Sequence, residues 1–136
     1  MIGRRTFVTG LVAVAASPVL AGAGAAYKPG LVTRELAEGK TVLIDFYTDW
    51  CTTCRAQERI INALQAENPA YAEQISFIAV DWDQYSGSDL ARSLNIPRRS
   101  TLVAIKGQTE LGRLVADTRA ASIKALLDTA LNAAMS

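Results

Sequence analysis

Val42-Leu43-Ile44-Asp45-Phe46-Tyr47-Thr48-Asp49-Trp50-Cys51-Thr52-Thr53-Cys54 is the stretch whose reading decides the fold. It holds both cysteines of the chain, with only Thr52 and Thr53 between them. They follow an apolar run, rich in β-branched and aromatic side chains, that reads as a buried parallel strand over residues 41–47. Residues 55–67 read as a helix that buries Ile60, Ile61 and Leu64 and stops before Asn68-Pro69. A strand that ends in Cys-x-x-Cys and turns straight into a helix places the first sulfur at the helix N-terminus. Unpaired N–H groups and the helix dipole favour a thiolate there.

Those residues resemble the active-site strand, turn and helix of the thioredoxin superfamily, in the form seen in exported thiol-disulfide oxidoreductases. The resemblance rests on Asp45-Phe46-Tyr47, on Trp50 and on the Cys51/Cys54 pair; Cys-x-x-Cys alone also occurs as half of a zinc site. It implies an α/β thioredoxin fold, a single domain whose mixed central sheet is flanked by helices in three α/β/α layers. It further implies Cys51 as an exposed nucleophile, Cys54 as a more buried resolving thiol, and Asp45 as a buried acid/base acting on Cys54 through water. Trp50 is expected to pack over the pair, and Trp50, Arg99, Ser100 and Thr101 to line the substrate groove. The residues themselves support a special state for Asp45, because an ionised carboxylate in an apolar strand is costly unless paired and its pKa should rise. The plainer alternative is a carboxylate that only hydrogen-bonds neighbouring backbone. Asp49 lies in the turn and reads as a solvated charge.

A chain of 136 residues, 50% of them hydrophobic, can bury one core and leaves no room for a second domain. It contains no histidine, which excludes Ser-His-Asp hydrolysis, Cys-His proteolysis and the two-histidine zinc peptidase motif. Two cysteines are too few for a disulfide scaffold or a self-contained four-cysteine zinc site. The formal charge is +1, and without residues 1–26 the 14 basic residues become 12 against 13 acidic ones. Neither balance offers the basic face that nucleic acid requires.

Residues 1–26 carry the three parts of an export signal: Arg4-Arg5, an apolar stretch over residues 7–20, and small residues over 21–26. The paired arginines followed by Thr6-Phe7-Val8 resemble a twin-arginine motif; a general secretory signal and an uncleaved membrane anchor are the alternatives. The domain is therefore expected over residues 27–136, in the periplasm, where disulfides are stable. Downstream, residues 31–38 read as a short helix ended by Gly39, and 75–81 as a second parallel strand with Trp82 and Tyr85 as packing residues. Ser86-Gly87-Ser88-Asp89 caps a short helix ending at Leu94. Residues 101–105 and 111–116 read as a hairpin around the polar turn 106–110, and 120–135 as a packed amphipathic helix.

The chain departs from the resembled pattern at three places. Arg59 stands where a helix-kinking proline is common, so a straighter helix is expected. Ala79 stands where a lysine often helps to ionise the buried acid. Most consequentially, counting back from the hairpin turn puts Ser100 at the position of the usual cis-proline, with Pro97 three residues too early. A serine there implies a trans bond and a hydroxyl close to Cys51; the alternative is a loop shift that restores Pro97 to that place. Arg98 and Arg99 flank the groove, where they would attract an acidic partner and lower the thiol pKa, or else remain solvated loop charges.

The function expected is that of an extracytoplasmic thiol-disulfide oxidoreductase working through a mixed disulfide, reducing rather than oxidising, with no cofactor and no resident metal. Its partners would be a protein disulfide substrate and a membrane or periplasmic thiol donor, with no nucleic acid, and membrane contact only through an uncleaved signal; the protein is expected to be a monomer. The alternative is a metal-binding or metal-delivery protein using the same two thiolates.

Overall fold

The computed structural model describes residues 23–136; the paired arginines and most of the segment read as an export signal lie outside the described residues. Strand β1 (Ala25–Ala26) leads into helix α1 (Leu31–Ala37), strand β2 (Thr41–Tyr47), helix α2 (Thr52–Glu67) and helix α3 (Ala70–Gln74). Strand β3 (Ile75–Asp81) follows, then short helices α4 (Trp82–Tyr85) and α5 (Asp89–Ser93), strands β4 (Thr101–Lys106) and β5 (Thr109–Val115), and helix α6 (Ala120–Ala134).

The apolar run of β2 occupies the centre of a five-stranded sheet ordered β1-β3-β2-β4-β5. It pairs in parallel with β3 and antiparallel with β4, so both edges are covered. Both faces are covered as well, which is why the run is continuous rather than alternating. Leu43 packs with Ile61, Leu64, Phe77, Leu102, Ile123 and Leu127 on the side of α2 and α6. Val42, Ile44 and Phe46 point the other way, toward Val32, Ile78, Val80, Ala91 and Ile105 beneath α1 and α5. The strand period of two then puts Asp45 on the Leu43 side, under α2. Its neighbours in register are Ala79 on β3 and Leu102 on β4, neither of which can neutralise it.

Four features differ from expectation. First, sheet pairing starts before Tyr27, with Ala25 and Ala26 against Ile78 and Ala79 of β3; a strand of two alanines is too short to show any period. Second, α2 starts at Thr52 rather than Arg55, since Cys51 acts as its N-cap; it then runs unbroken for 16 residues. Third, α3 and α4 were not foreseen. Pro69 starts α3 rather than merely ending α2, and Asp81 caps α4 by accepting from the Asp83 N–H at 3.0 Å. Trp82 and Tyr85 do pack, edge-on against Phe46 and Tyr27 respectively. Fourth, the hairpin is tighter than the five-residue turn expected, because β5 already begins at Thr109 and a bulge between Ala104 and Ile105 absorbs the register change.

Candidate active site

Cys51 ends the extended segment after β2 (φ −89°, ψ 115°), and its Sγ accepts the backbone N–H of Cys54 at 3.1 Å. That is the geometry of a helix cap, with sulfur in the place that a serine or aspartate oxygen usually takes. A negative sulfur therefore satisfies a helix N–H that would otherwise lack an acceptor, and the helix dipole favours the charge. Both cysteines are free thiols.

The expected contrast in exposure is absent, since Cys51 and Cys54 are each 3% exposed. Hydrogen bonding separates them instead. Burial alone would raise the Cys51 thiol pKa, but bonds from Cys54, from the Ser100 hydroxyl, from the Cys54 N–H and from Arg99 outweigh it and bring the thiol down to about 7. Burial pushes Cys54 up, and its contact with Cys51 adds to the rise, to about 11. One sulfur is poised to ionise near neutrality, and the other holds its proton.

Ser100 lies against the pair, its Oγ 3.1 Å from Cys51 Sγ and 3.0 Å from Cys54 Sγ. No peptide bond among the described residues is cis. Ser100 instead takes a left-handed backbone, φ 66°, a conformation that a residue with a Cβ holds only when its surroundings enforce it. They do: the Ser100 N–H donates to Phe46 O at 2.7 Å, and Ser100 O accepts from Ala116 N at 2.8 Å. Gln57, fully buried on α2 one turn after Cys54, donates from Nε2 to Ser100 O and to Asp117 O, both at 3.1 Å. Sequence reasoning missed Gln57. A glutamine within an amphipathic helix carries no signal of its own, and only burial without solvent singles it out.

Asp45 is fully buried and its carboxyl is pushed up to about 7 by burial, partly offset by the N–H that Ala23 donates to Oδ2 at 3.0 Å. Oδ1 has no partner among the described residues. Charge on Glu58 and on Cys51 raises the carboxyl further. Among the described residues no hydrogen bond joins Asp45 to either sulfur.

The expected groove residues divide. Trp50 is turned outward, 58% exposed, rather than capping the sulfurs; its indole N–H donates to Asp83 Oδ2 at 2.9 Å. The Arg99 guanidinium lies 4.3 Å from the Trp50 ring centroid, a cation–π stack beside Cys51. Ser100 forms the floor beneath the sulfurs. Thr101 is fully buried and its hydroxyl closes onto Arg98 O at 2.7 Å, which takes its side chain out of the groove. Arg98 donates to Arg99 O at 3.0 Å and stiffens the same loop. Arg55 points away from the sulfurs and donates to Asp49 O at 2.6 Å.

A dithiol at a helix start, set against a buried carboxyl on the central strand of a mixed sheet, defines the class of thioredoxin-fold redox sites. The thioredoxin family profile matches residues 30–129, and the chain belongs to that family. It is similar to the mitochondrial thioredoxin-2 of Schizosaccharomyces pombe, 30% identical over 86 residues that are 63% of this chain and 60% of that protein. It is also similar to the thiol:disulfide interchange protein TxlA of Synechococcus elongatus, 26% identical over 98 residues, 68% of this chain and 50% of that one. The chain thus spans less than two thirds of the length of these curated relatives. Among solved structures it is similar to Trxlp of Edwardsiella tarda, with a TM-score of 0.65 and 27% identity, covering 76% of this chain and 98% of that one.

Proposed function

We propose that this protein is an extracytoplasmic thiol-disulfide oxidoreductase that acts mainly as a reductase. The observation that carries the reading is the split between the sulfurs, with Cys51 lowered to about 7 and Cys54 raised to about 11. The Cys51 thiolate attacks one sulfur of a partner disulfide; that S–S bond breaks, and the departing sulfur leaves as a thiolate that takes up a proton. Cys54 gives its proton to the Asp45 carboxylate through water and attacks Cys51 Sγ, which breaks the mixed disulfide and expels the partner's second sulfur as a thiolate that takes up the proton held by Asp45. The partner gains two electrons and two protons, and the protein is left with a Cys51–Cys54 disulfide for an external thiol donor to reduce.

The reductive direction rests on Asp45, since in the thioredoxin-like proteins that this chain resembles a buried acid at this position is a feature of reductases, where it takes and returns the resolving thiol's proton. The compartment rests on Arg4-Arg5 and the apolar, small-residue stretch behind them. Arg99, stacked on Trp50 beside Cys51, offers positive charge to partners with carboxylates near their disulfide. The metal-delivery alternative draws on Ser100 in place of a proline. Among the described residues, however, no group of three or more metal-ligating side chains gathers, so two sulfurs would need a second molecule to complete a donor set.

Incubating Cys54→Ser with a disulfide substrate should accumulate a Cys51 mixed disulfide on a non-reducing gel, and Cys51→Ser should lower insulin reduction to background. Full reductase activity in Cys51→Ser would sink the proposal.

A further inference from the structure

The segment that sequence reasoning set aside as the tail of a leader reaches the most buried ionisable group in the site. Ala23 is 3% exposed, and its N–H, at 3.0 Å from Oδ2, is the one hydrogen-bond donor that the described residues supply to the Asp45 carboxyl. The segment is anchored on both sides of that bond. Downstream, Ala25 and Ala26 pair with β3 and the Tyr27 N–H donates to Ala79 O at 2.9 Å. At Gly24 the chain turns with φ 109° so close to β3 that a Cβ would lie 2.3 Å from Phe77 O, so only glycine fits there.

We infer that residues 23–26 are an integral strap of the dithiol site, and that the Ala23 N–H is a positioning group that holds the Asp45 carboxyl against β3. This rests on the role for Asp45 proposed above. A hydrogen bond to a carboxylate is stronger than one to a neutral acid, so the Ala23 N–H favours the form of Asp45 that can receive the Cys54 proton. No other described residue donates to that carboxyl. Among the described residues, the ionisable groups that act on Asp45 or exchange a proton with it are Glu58 on α2, Cys51 and Cys54 at its start and Tyr47 on the same strand, all of them acids. The register neighbours on β3 and β4 are Ala79 and Leu102. A backbone N–H from upstream thus stands in for a cation, which the described residues do not place against Asp45. Any leader removal must then leave Ala23 on the chain, although alanines down to Ala26 suit a signal peptidase.

The test is carboxyl-carbon NMR of Asp45 in the full chain as a function of pH. Ala23→Pro deletes that N–H and puts a ring carbon where the hydrogen lay, which displaces the carboxyl from the strap, and should move the Asp45 midpoint up by about one pH unit, the size of one lost hydrogen bond to a charged group. A midpoint that stays or falls overturns the inference. In the unaltered chain the Ala23 amide resonance should titrate with the same midpoint as the Asp45 carboxyl. An amide flat through that range overturns it equally, even if Ala23→Pro does not fold. Neither readout involves turnover, so each can fail while insulin reduction survives, and the reverse.

Discussion

At the scale of single residues, the reactivity of Cys51 is set by donors rather than by exposure. The Cys54 N–H reaches its sulfur at 3.1 Å and the Ser100 hydroxyl at 3.1 Å. A proline at position 100 would supply no hydroxyl, so part of the lowering of Cys51 is specific to this sequence. Ser100→Ala should therefore raise the Cys51 pKa and slow its alkylation by iodoacetamide at pH 7 by roughly 3–10-fold, while the rate at pH 9.5 changes little. An unchanged rate at pH 7 would show that the helix N–H and Arg99 suffice. The position of Ser100 was legible by counting register back from the hairpin, because strand pairing leaves few alternatives. The near-equal burial of the two sulfurs was not legible, because shielding of Cys51 depends on the loop that leads into the neighbouring strand β4, 49 residues on in the sequence.

At the scale of elements, α2 does two jobs through one face. Ile61 and Leu64 join the core, and Gln57 reaches across to hold the loop that carries Ser100. Gln57 Nε2 also binds Asp117 O, so one amide ties α2 to the loops at both ends of the β4–β5 hairpin. Its own Oε1 is buried without a partner among the described residues, a cost that the fold carries to keep the clamp. Gln57→Ala should destabilise the protein by roughly 1–3 kcal/mol in urea unfolding, through buried carbonyls left short of donors and a small cavity. It should also slow Cys51 alkylation at pH 7, because Ser100 loses its support. Loss of stability with alkylation intact would separate the clamp from the thiolate.

At the scale of the whole molecule, stability is linked to the state of Asp45. The folded protein keeps the Asp45 proton up to about pH 7, against an ordinary value of 3.8. Between those values the folded state binds more protons than the unfolded chain, so stability falls as pH rises through that window, and the loss is complete above it. Asp45→Asn keeps an acceptor for the Ala23 N–H and removes the ionisation. It should be more stable than the parent by roughly 1–3 kcal/mol at pH 8, with the gain gone by pH 4, as read from urea midpoints at the two pH values. A gain independent of pH would mean that packing rather than charge is responsible.

The residues alone determined the strand, turn and helix that present the dithiol, the single α/β domain, and the anomaly of Asp45 in an apolar strand. Each is a local signal, carried by spacing or by the two-residue period along a few neighbouring positions. Tertiary structure decided which groups act on those residues. Ser100 meets the sulfurs only because β4 pairs with β2; Gln57 matters only because α2 lies against the loops flanking β4–β5; Trp50 carries Arg99 rather than covering the thiols. Ala23 reaches Asp45 only because two alanines, silent as a pattern, add a strand to β3. A hydrogen bond between residues 22 positions apart leaves no trace in local periodicity, since it depends on how the strands are ordered and not on what precedes or follows each residue.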